Sequence, residues 1–438
     1  MGAFFASQVN APATRRRRRP TRLAVGVSLA IAVVAGACSS SSKSAPPTTA
    51  SSATASTATG ATTATTAAAS SEPTPGVTST SIKISVLAQF SGGAAAQIIS
   101  SWYDSGVVLW ADMVNKAGGI HGRQIQLVKI DHMDTPEGGV AACKQVESNG
   151  SFAAMVVEGV NGHIPAIQCL DQAGIPVLFN YPDPRLTSKL KTAFSVAAPF
   201  DDEKGQVLVN FIKNYLQKGS AKIGVLYRSD SPVYAAAGSD FASTAKSSGL
   251  NVVDVETVTS TQTSPTAQLV HLKNAGAEVV FIAGDIELFS VLPAAKAIGF
   301  APQWVGTPGW AGNSFTNVLG AAMQGIKMVS ALPGNNSPAY ADYAAKATAD
   351  GKKPDRDALY FYTYALVMGQ ALDKAGQDLT RPGWVKAMES ISSYDPQTGA
   401  PVSFSATKHD GTDALFPVQC CDANKDWESL GPASTFSS

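Results

Sequence analysis

Short apolar runs rich in Val and Ile alternate with longer stretches of helical periodicity from residue 81 onward. The runs predict eight β-strands, at 82–88, 124–131, 153–159, 175–180, 222–227, 250–258, 278–284 and 325–332. The stretches between them predict helices at 98–117, 136–149, 162–173, 202–218, 235–248, 265–275 and 286–299. This alternation is typical of parallel sheets covered by helices on both faces, so the predicted fold class is α/β.

The folded part is too long for one core. The chain has 438 residues, and chains of this size usually divide into lobes or domains. The stretch 194–205 resembles a crossing segment, and a second apolar series restarts at Lys222. We therefore predict two Rossmann-like α/β lobes.

The N-terminus has the pattern of an export signal. A basic stretch ending at Arg22 precedes an apolar run from Leu23 to Val34, and Ala35, Gly36 and Ala37 lead into Cys38. A membrane-spanning helix needs about 20 apolar residues, and this run is shorter. The segment Ala35-Gly36-Ala37-Cys38 resembles a bacterial lipobox, although Ala35 stands where a bulky aliphatic residue is usual.

We predict that 1–37 is a lipoprotein signal peptide and that Cys38 is lipidated. The protein would then be exported and held by its lipid on the outer face of the cytoplasmic membrane. An ordinary cleaved signal followed by a chance cysteine is the alternative, and the export route, general or twin-arginine, stays open. Residues 38–80 are rich in Ser, Thr, Ala and Pro without apolar periodicity, which predicts a flexible tether spanning roughly 35 Å.

Composition narrows the function classes. The chain is 45% hydrophobic and 15% charged, as expected of a compact folded protein. Its formal charge is zero, but without 1–37 it holds 27 basic and 33 acidic residues, a net charge of about −6. A mildly acidic body does not favour nucleic-acid binding.

Four cysteines remain after Cys38, and an even number in an exported chain points to disulfides. Cys143 and Cys169 fall on predicted neighbouring helices, so we pair them. The adjacent Cys420 and Cys421 could bridge each other or take other partners. No Cys/His spacing suggests a metal site, and no cofactor is expected.

Glycines recur where predicted strands end, and ligands of open parallel sheets bind beyond the carboxyl ends of the strands. Such glycines allow a close approach to a ligand, although each one alone is explained by turn chemistry. They are Gly92, Gly93, Gly159, Gly162, Gly284, Gly306 and Gly309.

One segment resembles a known family. In 110–146, a helix ending in Asn115 is followed by a glycine turn and by a strand that ends in Asp131. The turn reads Gly118, Gly119, Ile120, His121, Gly122 and Arg123. This is similar to the first-lobe signature of the type I periplasmic binding proteins, in the branch that binds branched-chain amino acids, amides and related solutes for ABC importers. The likeness extends over about 81–331 and is weaker beyond.

The resemblance implies two lobes joined by three crossings, with a small organic solute held between them and passed to an ABC permease. Such a solute would be an amino acid, an amide, or an aromatic or carboxylic compound. Lobe 1 is expected at 81–198 and 332–410, and lobe 2 at 199–331 and 411–432. Hinge closure around the ligand is the motion expected of this class.

Motif positions also imply a set of ligand contacts, in which backbone N–H groups and hydroxyls suit a carboxylate or carbonyl. Lobe 1 contributes Ser91, Gly92, Gly93, Val160, Asn161, Asn180 and Tyr181. Lobe 2 contributes Tyr234, Asp285, Thr307 and Trp310. Phe90 is a further aromatic candidate, and for each aromatic residue plain packing is the alternative.

One departure argues against a simple amino-acid ligand. Amino-acid binders of this branch carry a Glu in a turn that here reads Gly306-Thr307-Pro308-Gly309, without an acid. A buried ammonium group without a counter-charge is costly, although Asp285 or Glu287 could substitute. We therefore predict a ligand that need not be an α-amino acid.

An enzyme and a subunit of a signalling system are the two rival functions. No nucleophile elbow, P-loop, zinc-protease motif or dinucleotide fingerprint is present, so we predict no enzyme activity. The histidines are scattered: His121 and His132 are expected at the surface, and His163 either meets the ligand or caps a turn. A ligand-sensing subunit of a signalling system, or a binder of Leu, Ile and Val proper, remains as an alternative.

Overall fold

The computed structural model describes residues 73–92, 94–159, 161–180, 188–196, 205–284, 287–307, 312–421 and 426–437. The predicted signal peptide 1–37, Cys38 and most of the predicted tether lie outside these residues.

Lobe 1 is built on a sheet of five parallel strands in the order β2-β1-β3-β4-β5. The strands are β1 (Ser81–Ala88), β2 (Gln124–Asp131), β3 (Ala153–Val156), β4 (Val177–Phe179) and β5 (Ala193–Ser195). β1, β3, β4 and β5 are buried on both faces, which explains their continuous apolar sequences.

In the described residues, four helices connect these strands. They are α1 (Ala94–Tyr103), which continues through a π-helical turn (Asp104–Val108) into α2 (Leu109–Lys116), then α3 (Pro136–Asn149) and α4 (His163–Gln172). α3 has both ends specified by its sequence. The Thr135 side chain accepts a hydrogen bond from Gly138 N at 3.0 Å, and Gly150 ends the helix with a left-handed φ of 66°.

Lobe 2 repeats the arrangement with four parallel strands in the order β7-β6-β8-β9. They are β6 (Lys222–Arg228), β7 (Asn251–Val258), β8 (Val279–Ala283) and β9 (Gln303–Gly306). The helices are α5 (Gln206–Asn210) with a π-helical turn (Phe211–Tyr215), α6 (Pro232–Ser247), α7 (Thr266–Asn274), α8 (Leu288–Ala297) and α9 (Asn313–Leu319), which a 3₁₀ turn (Gly320–Ala322) follows.

A small antiparallel sheet extends lobe 2. It contains β10 (Lys327–Ser330), β11 (Phe416–Cys420) and β12 (Trp427–Ser429). The Gln303 side chain at the start of β9 donates to Lys327 O at the start of β10, at 3.1 Å, so these two strands start side by side.

The chain then returns to lobe 1 with α10 (Pro338–Ala349), α11 (Arg356–Ala375) and α12 (Arg381–Glu389). Their side chains share one core with β1: Leu359, Phe361 and Trp384 belong to the same buried cluster as Ile84 and Val86. At the C-terminal end, Phe436 packs on Phe211 in lobe 2, with ring centroids 5.2 Å apart.

Three segments connect the lobes. The first leaves the end of β5, the second follows β10, and the third precedes β11. The third is anchored where Ser195 N donates to His409 O and Gly411 N donates to Ser195 O, both at 2.8 Å. The predicted fold class, with two α/β lobes of parallel strands and a three-crossing hinge, is confirmed. No helix of the described part of the chain is long and apolar enough to cross a membrane.

Candidate ligand-binding site

The carboxyl edges of the two parallel sheets face each other. β5 enters the first crossing at its carboxyl end, and β10, which starts beside β9, enters the second crossing at its carboxyl end. Each sheet therefore directs the edge at which ligands of such sheets bind toward the other lobe. The candidate site is the region between these edges.

On lobe 1, the loop after β1 is fixed by Asp131 at the end of β2. Phe90 N donates to Asp131 Oδ1 at 3.0 Å, and Ser91 and Gly92 are exposed, with Gly92 at a φ of 100°. Burial alone would raise the pKa of Asp131, but hydrogen bonds from Ser91, Met133 and Phe90 outweigh it and lower that pKa. The carboxylate thus stays ionised and fixes the loop.

A depression of about 530 Å³ opens beside this loop. Phe90, Ser91 and Gly92 line it together with Ala96, Gln97, Ser100, Ser101 and Asp104 of α1 and the π-helical turn. Phe90 has a structural role there: its ring meets Tyr103 edge to face at 5.4 Å, and Lys129 Nζ lies 4.2 Å from the ring centroid. These two contacts hold the ring in place.

Asn161 is held by Asp134, a residue that the sequence analysis did not select. Asp134 accepts from Asn161 N at 2.8 Å, from Asn161 Nδ2 at 3.2 Å and from Gly162 N at 3.2 Å. The Asn161 side chain therefore helps to shape the β3–α4 loop. Asp134 has a φ of 49°, which is uncommon for a non-glycine residue.

Asn180 lies at the end of β4 and is 1% exposed. Its Nδ2 donates to Val157 O at 2.9 Å, which fixes the orientation of the amide. Its Oδ1 is buried and has no hydrogen-bond partner among the described residues. A buried acceptor left in this state costs about 1–3 kcal/mol, so it is a natural position for a ligand donor.

The expectation that His132 lies at the surface is wrong, because this side chain is fully buried. Nδ1 accepts from Asp134 N at 3.0 Å, so Nε2 is the donor to Glu158 O at 2.6 Å. Burial lowers the pKa of His132 and keeps the ring neutral. His132 supports the loop that carries Asp134. His163, at the start of α4, is also fully buried.

On lobe 2, Tyr234 lies in the first turn of α6 and is 2% exposed. The Arg228 guanidinium lies 5.9 Å from its ring centroid and pairs with Asp230 at 2.9 Å and Glu287 at 3.5 Å. Thr307 follows β9, is buried, and donates from its hydroxyl to Gly284 O at 3.4 Å. The cation beside the buried Glu287 carboxylate is therefore the Arg228 guanidinium.

Some predicted contacts lie outside the described residues. They are Gly93, Val160, Tyr181, Asp285 and Trp310, with Pro308 and Gly309 of the same turn.

The sequence analysis missed the contribution of α11. Tyr360 stacks edge to face on Tyr364 at 4.6 Å, and burial raises its pKa, with a further increase from the negative charge of Glu158. At Gly312, an added Cβ would lie 2.1 Å from Asp357 Oδ1, so lobe 2 touches the start of α11 here. The resemblance placed 332–410 in lobe 1, but nothing in the sequence showed that the start of this helix contacts lobe 2.

Arg356 connects α11 to the second crossing. It is 2% exposed and donates to Pro333 O at 2.8 Å, to Leu332 O at 2.6 Å and to Ser330 Oγ at 2.8 Å. The start of α11 in lobe 1 is therefore tied to the end of β10 in lobe 2.

The described residues contain two disulfides. Cys143 in α3 is joined to Cys169 in α4, with Cα atoms 6.1 Å apart, and Cys420 is joined to Cys421 at the end of β11. The first lies within lobe 1. The second lies beside the start of β10, where Gly325 N donates to Cys420 O, and β10 enters the second crossing at its opposite end. Neither is part of the candidate site.

Two α/β lobes, three connecting segments and facing sheet edges define a hinged solute-binding protein. The chain belongs to the periplasmic binding protein family, whose model matches residues 81–425. This is a family of solute-binding proteins and not of enzymes, which confirms the prediction of no enzyme activity. Periplasmic binding proteins are exported, so the chain acts outside the cytoplasm.

Individual relatives agree with this assignment. A Leu/Ile/Val-binding protein homolog of Brucella melitensis is 25% identical over 333 residues, covering 74% of this chain and 88% of that protein. A fatty acid ABC transporter substrate-binding protein from Thermomonospora curvata superimposes with a TM-score of 0.71 at 19% identity, covering 83% of this chain and 95% of that one. An R. palustris ABC transporter solute-binding protein in complex with 4-hydroxybenzoate gives a TM-score of 0.69 at 16% identity, covering 81% and 97%.

Proposed function

We propose that this protein captures a small organic acid between its lobes and delivers it to an ABC importer. The observation that carries the proposal is the pair of facing carboxyl edges, where Asn180 presents a buried acceptor without a partner. The ligands named for the three relatives are Leu/Ile/Val, fatty acid and 4-hydroxybenzoate. All of them carry a carboxylate, and that shared group supports an acid as the ligand class.

The ligand would contact both lobes. In the described part we propose Ser91, Gly92, Asn161 and Asn180 on lobe 1, and Tyr234 and Thr307 on lobe 2. The proposed contacts Gly93, Val160, Tyr181, Asp285 and Trp310 complete the set. The division into lobe 1 (81–198 and 332–410) and lobe 2 (199–331 and 411–432) is part of the proposal, and it is supported by the core that α11 and α12 share with β1.

A second candidate is an amino-acid ligand proper. It is favoured by Glu287, whose buried carboxylate at the carboxyl edge of lobe 2 could pair with an ammonium group. Against it, Arg228 already lies 3.5 Å from that carboxylate, so an ammonium group would compete with a cation in place.

A thermal-shift screen of the purified protein tests the function. The library holds branched-chain amino acids, aromatic acids and fatty acids, with calorimetry on every hit. A ligand at 100 times its dissociation constant stabilises a protein by about 2.7 kcal/mol, so a true ligand raises the unfolding midpoint by several degrees. If no acid raises the midpoint, the proposal fails; tight binding of leucine or valine would favour the second candidate.

We further propose that the protein is a lipoprotein anchored through Cys38 after removal of 1–37. Mass spectrometry of protein from its native membrane should find an N-terminal peptide that begins at a diacylated Cys38. The intact protein should also partition into the detergent phase of Triton X-114. An unmodified Cys38, or cleavage elsewhere, would contradict the lipid anchor without affecting the solute-binding function.

A further inference from the structure

Four of the described helices begin with the same local sequence, a Ser or Thr at the N-cap and a Pro within the next two residues. In three of them the hydroxyl caps the helix: Thr135 accepts from Gly138 N, Ser337 from Tyr340 N and Thr380 from Gly383 N, at 3.0–3.1 Å. The fourth, Ser231 at the start of α6, makes no capping bond although its backbone is extended like the others.

Ser231 is fully buried, and its Oγ has no hydrogen-bond partner in the described parts of the chain. Serine at an N-cap ordinarily stabilises its helix through the bond that is missing here. No contact within the described residues therefore explains why a hydroxyl group is buried here. The position itself is informative, because Ser231 follows β6 at the carboxyl edge that faces lobe 1.

The surroundings suit an anion. α6 has 16 residues, and the N-terminus of such a helix carries a partial positive charge and unpaired N–H groups. Pro232 has no N–H, so the first amide of the helix is that of Val233. Among the described residues, the charged side chains linked to this helix end are Arg228, Asp230 and Glu287.

Arg228 brings a positive charge 5.9 Å from the Tyr234 ring in the same first turn. Asp230 is committed elsewhere: it accepts from Arg228 Nε and from the hydroxyl and amide of Ser260. Among the described residues, Glu287 is the other carboxylate near this helix end, and it is paired with Arg228.

We propose that Ser231 Oγ and Val233 N–H at the start of α6 form the lobe 2 receptor for the ligand carboxylate. The inference rests on the proposed function, since it locates one group of the proposed acid ligand. It assigns a specificity-determining residue: Ser231 discriminates acids from their amides, because an oxygen of a carboxylate accepts from both donors and gains from the helix dipole.

Matched acid and amide pairs test this assignment by calorimetry on the full protein. The probes are 4-hydroxybenzoate with 4-hydroxybenzamide, leucine with leucinamide, and octanoate with octanamide. Ser231→Ala should weaken binding of whichever acid binds the wild type by about tenfold or more, as expected for one hydrogen bond to a charged group. Its unfolding midpoint should change little, because no cap bond is lost.

Two further variants make the test decisive. Ser231→Asp places a carboxylate at the same N-cap, where it can accept from the helix N–H groups, and should abolish acid binding. Thr380→Ala, the matched control in α12, loses a real cap bond and should lower the midpoint without changing affinity. Acid binding unchanged in both Ser231 variants, or amides bound as tightly as acids by the wild type, would overturn the inference and leave solute binding intact. No binding of any acid by the wild type would reject the proposed function and the inference with it.

Discussion

Arg356→Met is expected to lower the free energy of unfolding by about 3–5 kcal/mol and to weaken ligand binding. The guanidinium is buried, and its removal takes a donor from Ser330 Oγ, Leu332 O and Pro333 O. Methionine fills much of the volume, so the loss reports the polar contacts and not a cavity.

The charge of Arg356 persists despite its burial. Burial lowers its pKa to about 10, and the carboxylates of Asp357 and Asp355 oppose that decrease. The group is therefore protonated at neutral pH, and each of its three bonds is charge-assisted. These bonds connect α11 to the second crossing, so their loss also makes the hinge more flexible. The protein then binds its ligand less tightly, because closure must order more of the chain.

Arg381→Met is the matched control. Arg381 also donates to backbone carbonyls, to Phe152 O at 3.1 Å and Ser151 O at 2.8 Å, but both lie within lobe 1. Denaturant unfolding and calorimetry with one ligand from the screen should find both variants destabilised and only Arg356→Met weakened in affinity. Equal affinities in the two variants would show that Arg356 acts on stability alone.

The second large effect is expected on removing the disulfide of lobe 1. Cys143 and Cys169 are 26 residues apart, and closing a loop of that length stabilises by about 3.5 kcal/mol in the chain-entropy model. The double variant Cys143→Ala/Cys169→Ala should therefore unfold at a midpoint on the order of 10 °C lower. Differential scanning calorimetry measures this directly.

The adjacent pair provides the control for this variant. Cys420 and Cys421 are one residue apart and close almost no loop, so Cys420→Ala/Cys421→Ala should cost much less. Cys143, Cys420 and Cys421 are buried and Cys169 is partly buried, and the substitutions in the two pairs remove the same atoms. Equal losses in the two double variants would mean that the long-range bond contributes only its packing.

Much of the fold was predictable because its strands have a strong local signal. β1, β2, β6 and β7 lie within a residue or two of the predicted runs, since seven or eight consecutive residues give a clear pattern. β5, β9, β11 and β12 were missed. β3, β4 and β10 are as short but lie within longer apolar runs, and a short strand without such a run is indistinguishable from a loop. The π-helical turn inside the first helix also has no sequence pattern of its own.

The candidate site was less predictable than the fold. The sequence located the edges that would meet a ligand, but it selected Asn161 and overlooked Asp134, which binds it. It placed His132 at the surface, because nothing in a sequence distinguishes an exposed histidine from one whose two nitrogens are satisfied by a loop. Asp357 and Tyr360 could not be predicted as neighbours of the site, because α11 begins about 200 residues after β3.

By itself, the sequence determined the α/β class, the two lobes and the likeness to a solute-binding family, because these depend on periodicity and on a local motif around Asn115 and Arg123. Only the tertiary structure decided that Ser231 leaves its helix uncapped and that Arg356 ties the lobes together. Both depend on which distant groups come within about 3 Å, and hydrogen bonds are satisfied or left open by that proximity and not by neighbours along the chain.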